Sequence, residues 1–512
     1  MAVEAKRHLV SEVDAHRRSP AQPWRHWIVV LLAALVLARL VSLALYPLGD
    51  TTEARYGEVA RLMLASGDWI TPQNDPGVPF WAKPPLSFWA QAATMALFGV
   101  NEFGARVSSL GFALAVLALL WPLARAGDGT DGRDPAPLAA LLLLTMPLYF
   151  LMAGTVMTDM ALALCTTAAM TGFWRALCGE RRWGYVFFAG LGAGLLAKGP
   201  VALALVGVAL GLWWLVMPAR AARVRQIWHA LPWPGGIVLM LAIAVPWYAA
   251  AEWRTPGFLH YFLVGEHFQR FVEPDWQGDR YGNAHHEPKG MVWLFMMYAA
   301  LTWLPLLALL AWQHVRANRG GAGRAPDSAA VAPGDLDRYL LCWTVAAPLF
   351  FTAASNTIWS YVLPSLPALA LLLARAVVRG SARLQSITVT VATVYVIAFS
   401  ILVLWWLPRP DVGGERSTRA MLEKIENVRE GRPARIRFVH HLPHSTKFYS
   451  RNGVSMLSFA ATRTEIEQPG ELFLIVAPID LGIVTPQWDG PWVERSMQRV
   501  GRFGPWLLLH RR

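Results

Sequence analysis

Long apolar runs recur along this chain, and they dictate what it can fold into. Stretches near 27–46, 104–124, 136–152, 157–178, 184–197, 200–217, 233–251, 291–312, 339–355, 360–378 and 386–407 carry very few charges. A run of about 20 apolar residues spans a bilayer as a helix, because a helix satisfies its backbone groups internally. The chain therefore reads as an α-helical polytopic membrane protein with about eleven transmembrane helices. The counting range extends to thirteen, since 184–197 is short and Leu86 to Phe98 is either interfacial or a short span. Only 16% of the 512 residues are charged and mean hydropathy is +0.36. Soluble domains carry roughly 25% charged residues.

The formal charge of +12 raises nucleic acid as a partner. The positives instead sit in loops between apolar runs, as membrane orientation requires. With residues 1–26 as a cytoplasmic tail, Arg181, Arg182, Arg220, Arg223, Arg225, Arg316, Arg319, Arg324, Arg379 and Arg383 all fall on the inner side, while the 125–135 loop is mixed. No nucleic acid partner is expected. The first run has no evident cleavage site after it and reads as a retained helix. Arg39 within it is either snorkelling or functional, with snorkelling the favoured reading. Cys165, Cys178 and Cys342 lie in or at the ends of apolar runs and form no metal or disulfide pattern.

The outer face then receives 47–103, 252–290 and everything after 407, with short turns near 153–156, 198–199 and 356–359. From Pro408 charges return, and strand-like runs appear at Ile436–Val439, Leu472–Val476 and Trp506–Leu509. Helix candidates at Ser445–Ser450 and Thr462–Glu467 alternate with them, so 408–512 reads as a small outer α/β domain joined to the membrane domain, 27–407, by the linker 409–418. The inner stretch 318–337 is flexible by composition.

Charge on the outer face is concentrated in the first loop. Glu53 to Leu64 fits an interfacial helix, with Tyr56, Val59, Ala60 and Met63 on one stripe and Thr51 or Thr52 as N-cap. Asp50, Glu53 and Arg55 cluster at its start. Carboxylates there suit general-base work or stabilisation of a cationic centre, and equally suit the helix dipole. Lys83, fixed by Pro84 and Pro85, suits a phosphate at the active site and equally suits lipid headgroups at the membrane surface with no catalytic role. Asp159 and Lys198 lie at the rims of spans, where charge is costly and marks function. In 252–290, His267 and Arg270 share a helical face. His285, His286 and Glu287 are candidate divalent-metal ligands, although adjacent histidines point apart and a solvated loop is the favoured reading. Tyr361 follows an outer turn, as a cavity residue or an interfacial anchor. No cofactor is expected. The function classes open at this point are a membrane transferase, a lipid-sugar flippase or transporter, and a sensor.

Together, EARYGEVARLMLASGDWITP, GVPFWAKPPLSFWA, MTDMAL, LLAKGP, EHFQRF and YVLPSLPALALLLA resemble the protein-mannosyltransferase-like branch of the GT-C glycosyltransferases, of the aminoarabinose lipid A transferase type. That resemblance implies a GT-C fold in the bacterial inner membrane. It also implies a polyprenyl (undecaprenyl) phosphate sugar donor and transfer on the periplasmic face to lipid A, another glycan or lipid, or a protein hydroxyl. In the family pattern an aspartate, the catalytic carboxylate, stands where this chain has Thr52, and a glutamate stands where it has Ala82. A basic residue usual before the Leu-Pro motif is replaced near Thr357. The resemblance carries Lys83, Asp159, Lys198 and Arg270 across unchanged. The expectation is that Glu53 takes the carboxylate role, with Asp50 next and Asp159 assisting. Arg55, Lys83, Lys198 and Arg270 then hold the donor phosphate, and Tyr56, His267 and Tyr361 complete the cavity.

Overall fold

The computed structural model describes residues 25–126, 134–282, 285–319, 335–409 and 416–511. The expected N-terminal tail, most of the 125–135 loop, most of 318–337 and most of the linker 409–418 fall outside those residues. The apolar runs become helices. On the N-terminal side these are α1 (Arg25–Ser42), then, after the first outer loop with α2 (Thr52–Ser66), β1 (Gln73–Asp75), β2 (Val78–Pro79) and α3 (Leu86–Phe98), the long α4 (Glu102–Arg125). There follow α5 (Ala136–Leu144), α6 (Pro147–Met152), α7 (Asp159–Leu177), α8 (Trp183–Lys198), α9 (Val201–Val216), the basic α10 (Arg220–Ala230) and α11 (Trp233–Arg254). The bundle finishes with α12 (Met291–Ala299), α13 (Leu304–Arg319), α14 (Asp335–Thr352), α15 (Leu366–Arg379) and α16 (Ala382–Ile401).

Each apolar run is helical, but fewer qualify as full spans alone. Among the described residues five helices are long and apolar enough to cross a membrane, and a sixth forms if α12 and α13 count as one span bent by 74°. The shortfall comes from breaks and short helices. Pro147 restarts the chain as α6 after α5, and a proline cannot continue the hydrogen-bond ladder behind it. α1 and α9 fall below full span length.

Small residues set the close packing. A Cβ on Gly172 of α7 would lie 2.5 Å from the Phe187 nitrogen of α8, and one on Gly190 of α8 would lie 2.7 Å from the Ala169 nitrogen of α7. Glycine allows the two backbones to touch, as membrane helices favour. At the inner end Arg223 of α10 bonds Asp335 of α14 at 2.7 Å, and Arg375 of α15 bonds Asp337 at 2.6 Å. Arg39 does not snorkel. It is fully buried, bonded to the Tyr46 hydroxyl at 2.9 Å and to the Leu151 carbonyl at 2.9 Å.

The first loop is a folded layer, not a helix resting on the lipid surface. Tyr56, Val59, Ala60 and Met63 of α2 are all buried, and so are Glu58 and Arg61, which pair at 2.6 Å. Thr51 stands at the N-cap, but no side chain caps α2, and Gly67 ends it in the left-handed region at φ 69°. Beyond the bundle come α17 (Arg419–Arg429), β3 (Arg435–Val439), α18 (His444–Ser450), β4 (Ser455–Leu457), α19 (Phe459–Glu467), β5 (Leu472–Val476), the hairpin β6 (Val484–Thr485) and β7 (Trp488–Asp489), α20 (Gly490–Ser496), β8 (Gln498–Phe503) and β9 (Trp506–Arg511). Five of these strands form one sheet in the order β4-β3-β5-β9-β8. β3 runs parallel to β4 and β5, and β9 runs antiparallel to β5 and β8. β5 is buried along its whole length, as a strand covered on both faces must be. The domain docks on the first loop, and Phe448 of α18 joins the apolar cluster of Leu48, Val59, Met63 and Phe88.

Candidate active site

The outer end of the bundle holds a cavity of about 960 Å³. Leu162, Val201, Ala204 and Phe350 of the bundle, with Leu263 and Phe271 of the 252–290 loop, give it an apolar lining. Its outer wall comes from the first loop, the 252–290 loop and the C-terminal domain. Arg55, Lys83, Lys198 and Arg270 all line it, with Tyr56, Asp159, His267 and Tyr361. Charges from four separate segments of the chain thus meet in one chamber.

Each charge is held by a partner. Asp159, at the start of α7, accepts from Lys198 Nζ at 2.6 Å and from Ser360 Oγ at 3.0 Å. Lys198 ends α8, and its ammonium sits 4.6 Å from the Tyr361 ring centroid. Residues His260–Gln269 form a wide π-helical segment. That segment turns Glu266 inward, where its carboxylate receives Lys83 at 3.1 Å and Arg270 at 3.2 Å. Tyr261 donates to the other Glu266 oxygen at 3.2 Å. Arg270 also pairs with Asp279 at 3.2 Å. The Nε groups of Arg55 and Arg270 are buried with no protein partner.

Electrostatics follow from these pairings. Burial pushes the Glu266 carboxyl up, but Lys83 and Arg270 outweigh it and hold it below an ordinary glutamate. Burial likewise opposes charge on Lys83, yet Glu266 keeps its ammonium above the ordinary lysine value. His267 is driven below the ordinary imidazole value by burial; its ring nitrogens face the carbonyls of Phe262 at 2.7 Å and Lys198 at 3.0 Å. Lys83 and Arg270 are thus held charged beside apolar side chains, where a cation acts more strongly on an anion than it does in water.

The expectation for Glu53 is corrected by its surroundings. Its carboxylate takes Arg106 Nε at 2.8 Å and Nη2 at 2.9 Å, the Gly49 N–H at 3.1 Å and the Val156 N–H at 3.2 Å. It is off the cavity wall and fully engaged, so it pins α2 to α4. Asp50 is also off the wall. It accepts from the Ser445 N–H at 2.9 Å and from the Ser445 hydroxyl, and burial pushes its pKa up. It holds the C-terminal domain in place. The carboxylates that do line the cavity are Asp159, Glu266 and Asp279, and Thr51 and Thr52 line it where α2 begins.

Four residues escaped sequence reasoning. Glu266 sits in the EHFQRF motif at i, i+4 from Arg270, a spacing that was available to read. Arg106 is a charge inside an apolar run, the signal that identified Asp159. His441 and His444 also line the cavity, and nothing local announces them. His285 lines it too, while the neighbouring His286 pairs its backbone with Asn356. Among the described residues no three His, Cys, Asp or Glu side chains gather as a metal site.

Comparison with known proteins places this geometry. Residues 27–262 match the family model described as dolichyl-phosphate-mannose-protein mannosyltransferase. An undecaprenyl phosphate-alpha-4-amino-4-deoxy-L-arabinose arabinosyl transferase of Shewanella sediminis is 30% identical over 76% of this chain and 69% of its own length. The chain belongs to the ArnT-type family of GT-C glycosyltransferases. A second such transferase, from Sodalis glossinidius, is 33% identical over 68% of this chain. A third, from Erwinia tasmaniensis, is 32% identical over 65% of it. The match spans only 58% and 56% of the length of those two relatives. The crystal structure of ArnT from Cupriavidus metallidurans bound to undecaprenyl phosphate superposes with a TM-score of 0.76 at 21% identity, covering 95% of this chain and 98% of that one. The fold of this ArnT-type chain is therefore that of a polytopic GT-C membrane protein.

Proposed function

We propose that this protein is a glycosyltransferase of the bacterial inner membrane, with its cavity on the periplasmic face. It moves a sugar from a polyprenyl (undecaprenyl) phosphate donor to an acceptor at that face: lipid A, another glycan or lipid, or a protein hydroxyl. The observation that carries this reading is the convergence of Arg55, Lys83, Lys198 and Arg270 in a chamber also lined by apolar side chains. A lipid-linked sugar phosphate asks for that combination, grease for the chain and fixed cations for the phosphate. Membership of a family of transferases supports it over the flippase alternative.

In this reading the sugar–phosphate bond breaks while the acceptor oxygen approaches the anomeric carbon. Negative charge grows on the leaving phosphate and positive charge on the sugar. Fixed donors aimed at a developing anion are the largest single source of catalysis in such sites. Lys83, Arg270, Lys198 and Arg55 provide them. Glu266 holds Lys83 and Arg270 in position, Asp159 holds Lys198, and both carboxylates present negative potential to the cationic sugar; Arg55 is held by the Tyr281 carbonyl. Purified protein in nanodiscs, given a panel of undecaprenyl phosphate sugars and an envelope extract, is expected to produce a component heavier by one sugar in mass spectrometry. No product with any donor, together with donor crossing liposome bilayers, overturns the proposal in favour of transport.

A further inference from the structure

The C-terminal domain does more than cap the rim. Lys447 pairs with Asp75 at 2.5 Å, the Tyr449 hydroxyl receives the Leu48 N–H at 2.7 Å and donates to Glu102 at 2.9 Å, and Phe448 is buried in the first loop's apolar cluster. These contacts fix the position of the β3–α18 connection, and that connection delivers His441 and His444 to the cavity wall beside Thr51, Thr52 and Arg55. The domain thus adds two polar side chains to the chamber.

We infer that the C-terminal domain builds the acceptor end of the cavity, and that His444 is the residue that meets the acceptor's attacking hydroxyl. The inference rests on the transferase reading above. Three observations carry it. First, the lining carboxylates are engaged: Asp159 by Lys198, Glu266 by Lys83 and Arg270, and Asp279 by Arg270. Second, His444 has no such partner. Its Nδ1 is buried without a hydrogen bond, which leaves Nε2 as the ring atom able to meet a ligand. Third, the surroundings keep the ring uncharged. Burial, with Lys447, Arg55 and His441 adding, pushes its pKa down to about 3. A neutral imidazole brings no positive charge to a phosphate and can hold a neutral hydroxyl by a hydrogen bond.

The transfer balances without using His444 as a base. The acceptor oxygen bonds the anomeric carbon, and the bond from that carbon to the phosphate oxygen breaks with its electron pair. The hydroxyl proton leaves with the lipid phosphate. His444 orients the attacking oxygen along that line.

The test separates donor from acceptor. Wild type, His444→Ala and His444→Gln are compared in nanodiscs for undecaprenyl phosphate affinity and for transfer from a panel of undecaprenyl phosphate sugars to an envelope extract. Loss of one acceptor hydrogen bond in His444→Ala is expected to raise the half-saturating extract concentration about tenfold, while undecaprenyl phosphate affinity stays within about twofold. His444→Gln, which keeps a hydrogen-bonding group, is expected to fall between and carries the test should the alanine variant fail to fold. Equal losses of donor affinity and transfer, or no change in either, overturn the assignment. A wild-type protein that transfers nothing overturns the transferase reading and this inference with it. A transferring wild type matched by both variants overturns the inference alone.

Discussion

Glu53→Gln tests the reassignment of Glu53 from chemistry to architecture. In the native protein Arg106 is fully buried. Besides Glu53 it donates to the carbonyls of Leu43 at 3.0 Å, Tyr46 at 2.7 Å and Pro47 at 2.9 Å. Glutamine removes the countercharge, and its NH₂ faces a donor whichever way the amide is turned. Removing one partner of a buried pair costs about 3–5 kcal/mol, and the three remaining carbonyls place this change at the low end, about 3 kcal/mol. The sign with pH follows from the carboxyl. Burial raises its pKa, but Arg106 and the two N–H groups outweigh burial, so the folded state titrates below an ordinary glutamate. The ionised group thus stabilises the fold at all pH above the ordinary value of about 4.3, and that contribution disappears as pH falls through the folded-state value. Wild type and variant are expected to differ in apparent thermal midpoint at neutral pH and to converge in acid. Tryptophan fluorescence in detergent reads both. A variant with the wild-type midpoint and normal donor affinity but no transfer would refute the reasoning and return Glu53 to the reaction.

The other predictions concern the cavity and its frame. Lys83→Ala is expected to weaken undecaprenyl phosphate binding about tenfold or more, since a desolvated charge–phosphate contact is worth about 1.5–3 kcal/mol; equilibrium titration in nanodiscs measures it. Arg270→Lys keeps the charge but loses the planar fork that Glu266 and Asp279 share, so donor affinity is expected to fall, in the same titration, even with charge conserved. Gly172→Val forces side-chain atoms into the Phe187 backbone and is expected to lower the thermal midpoint with a cost of about 1–3 kcal/mol.

The sequence exposed the elements and part of the site. α3 and β5 coincide with the residues expected, because an apolar run bounded by turn residues leaves few alternatives. The cations of the cavity were legible for a related reason. A lysine or arginine beside an apolar run must find a partner or a ligand, so Lys83, Lys198 and Arg270 declared themselves. Glu53 misled because proximity in sequence says nothing about direction. The rotation of about 100° between successive residues of α2 separates position 52 from position 53, and Arg106, 53 residues on, captures the carboxylate of Glu53. His444 was illegible because its environment is assembled from residues nearly the whole chain apart.

That distance sets an order of events during synthesis. Asp50 and Ser445, whose contact secures the first loop against the last domain, are 395 residues apart. At about 5–20 residues per second, about 20–80 s separate their emergence. For that interval the first loop lacks its last-made partners, leaving the Ser445-binding aspartate, the Glu102 that awaits Tyr449, and the apolar seat of Phe448 all uncovered. The chamber is begun among the earliest parts of the chain and closed by the last, so a transcript cut short yields a membrane bundle with an open site.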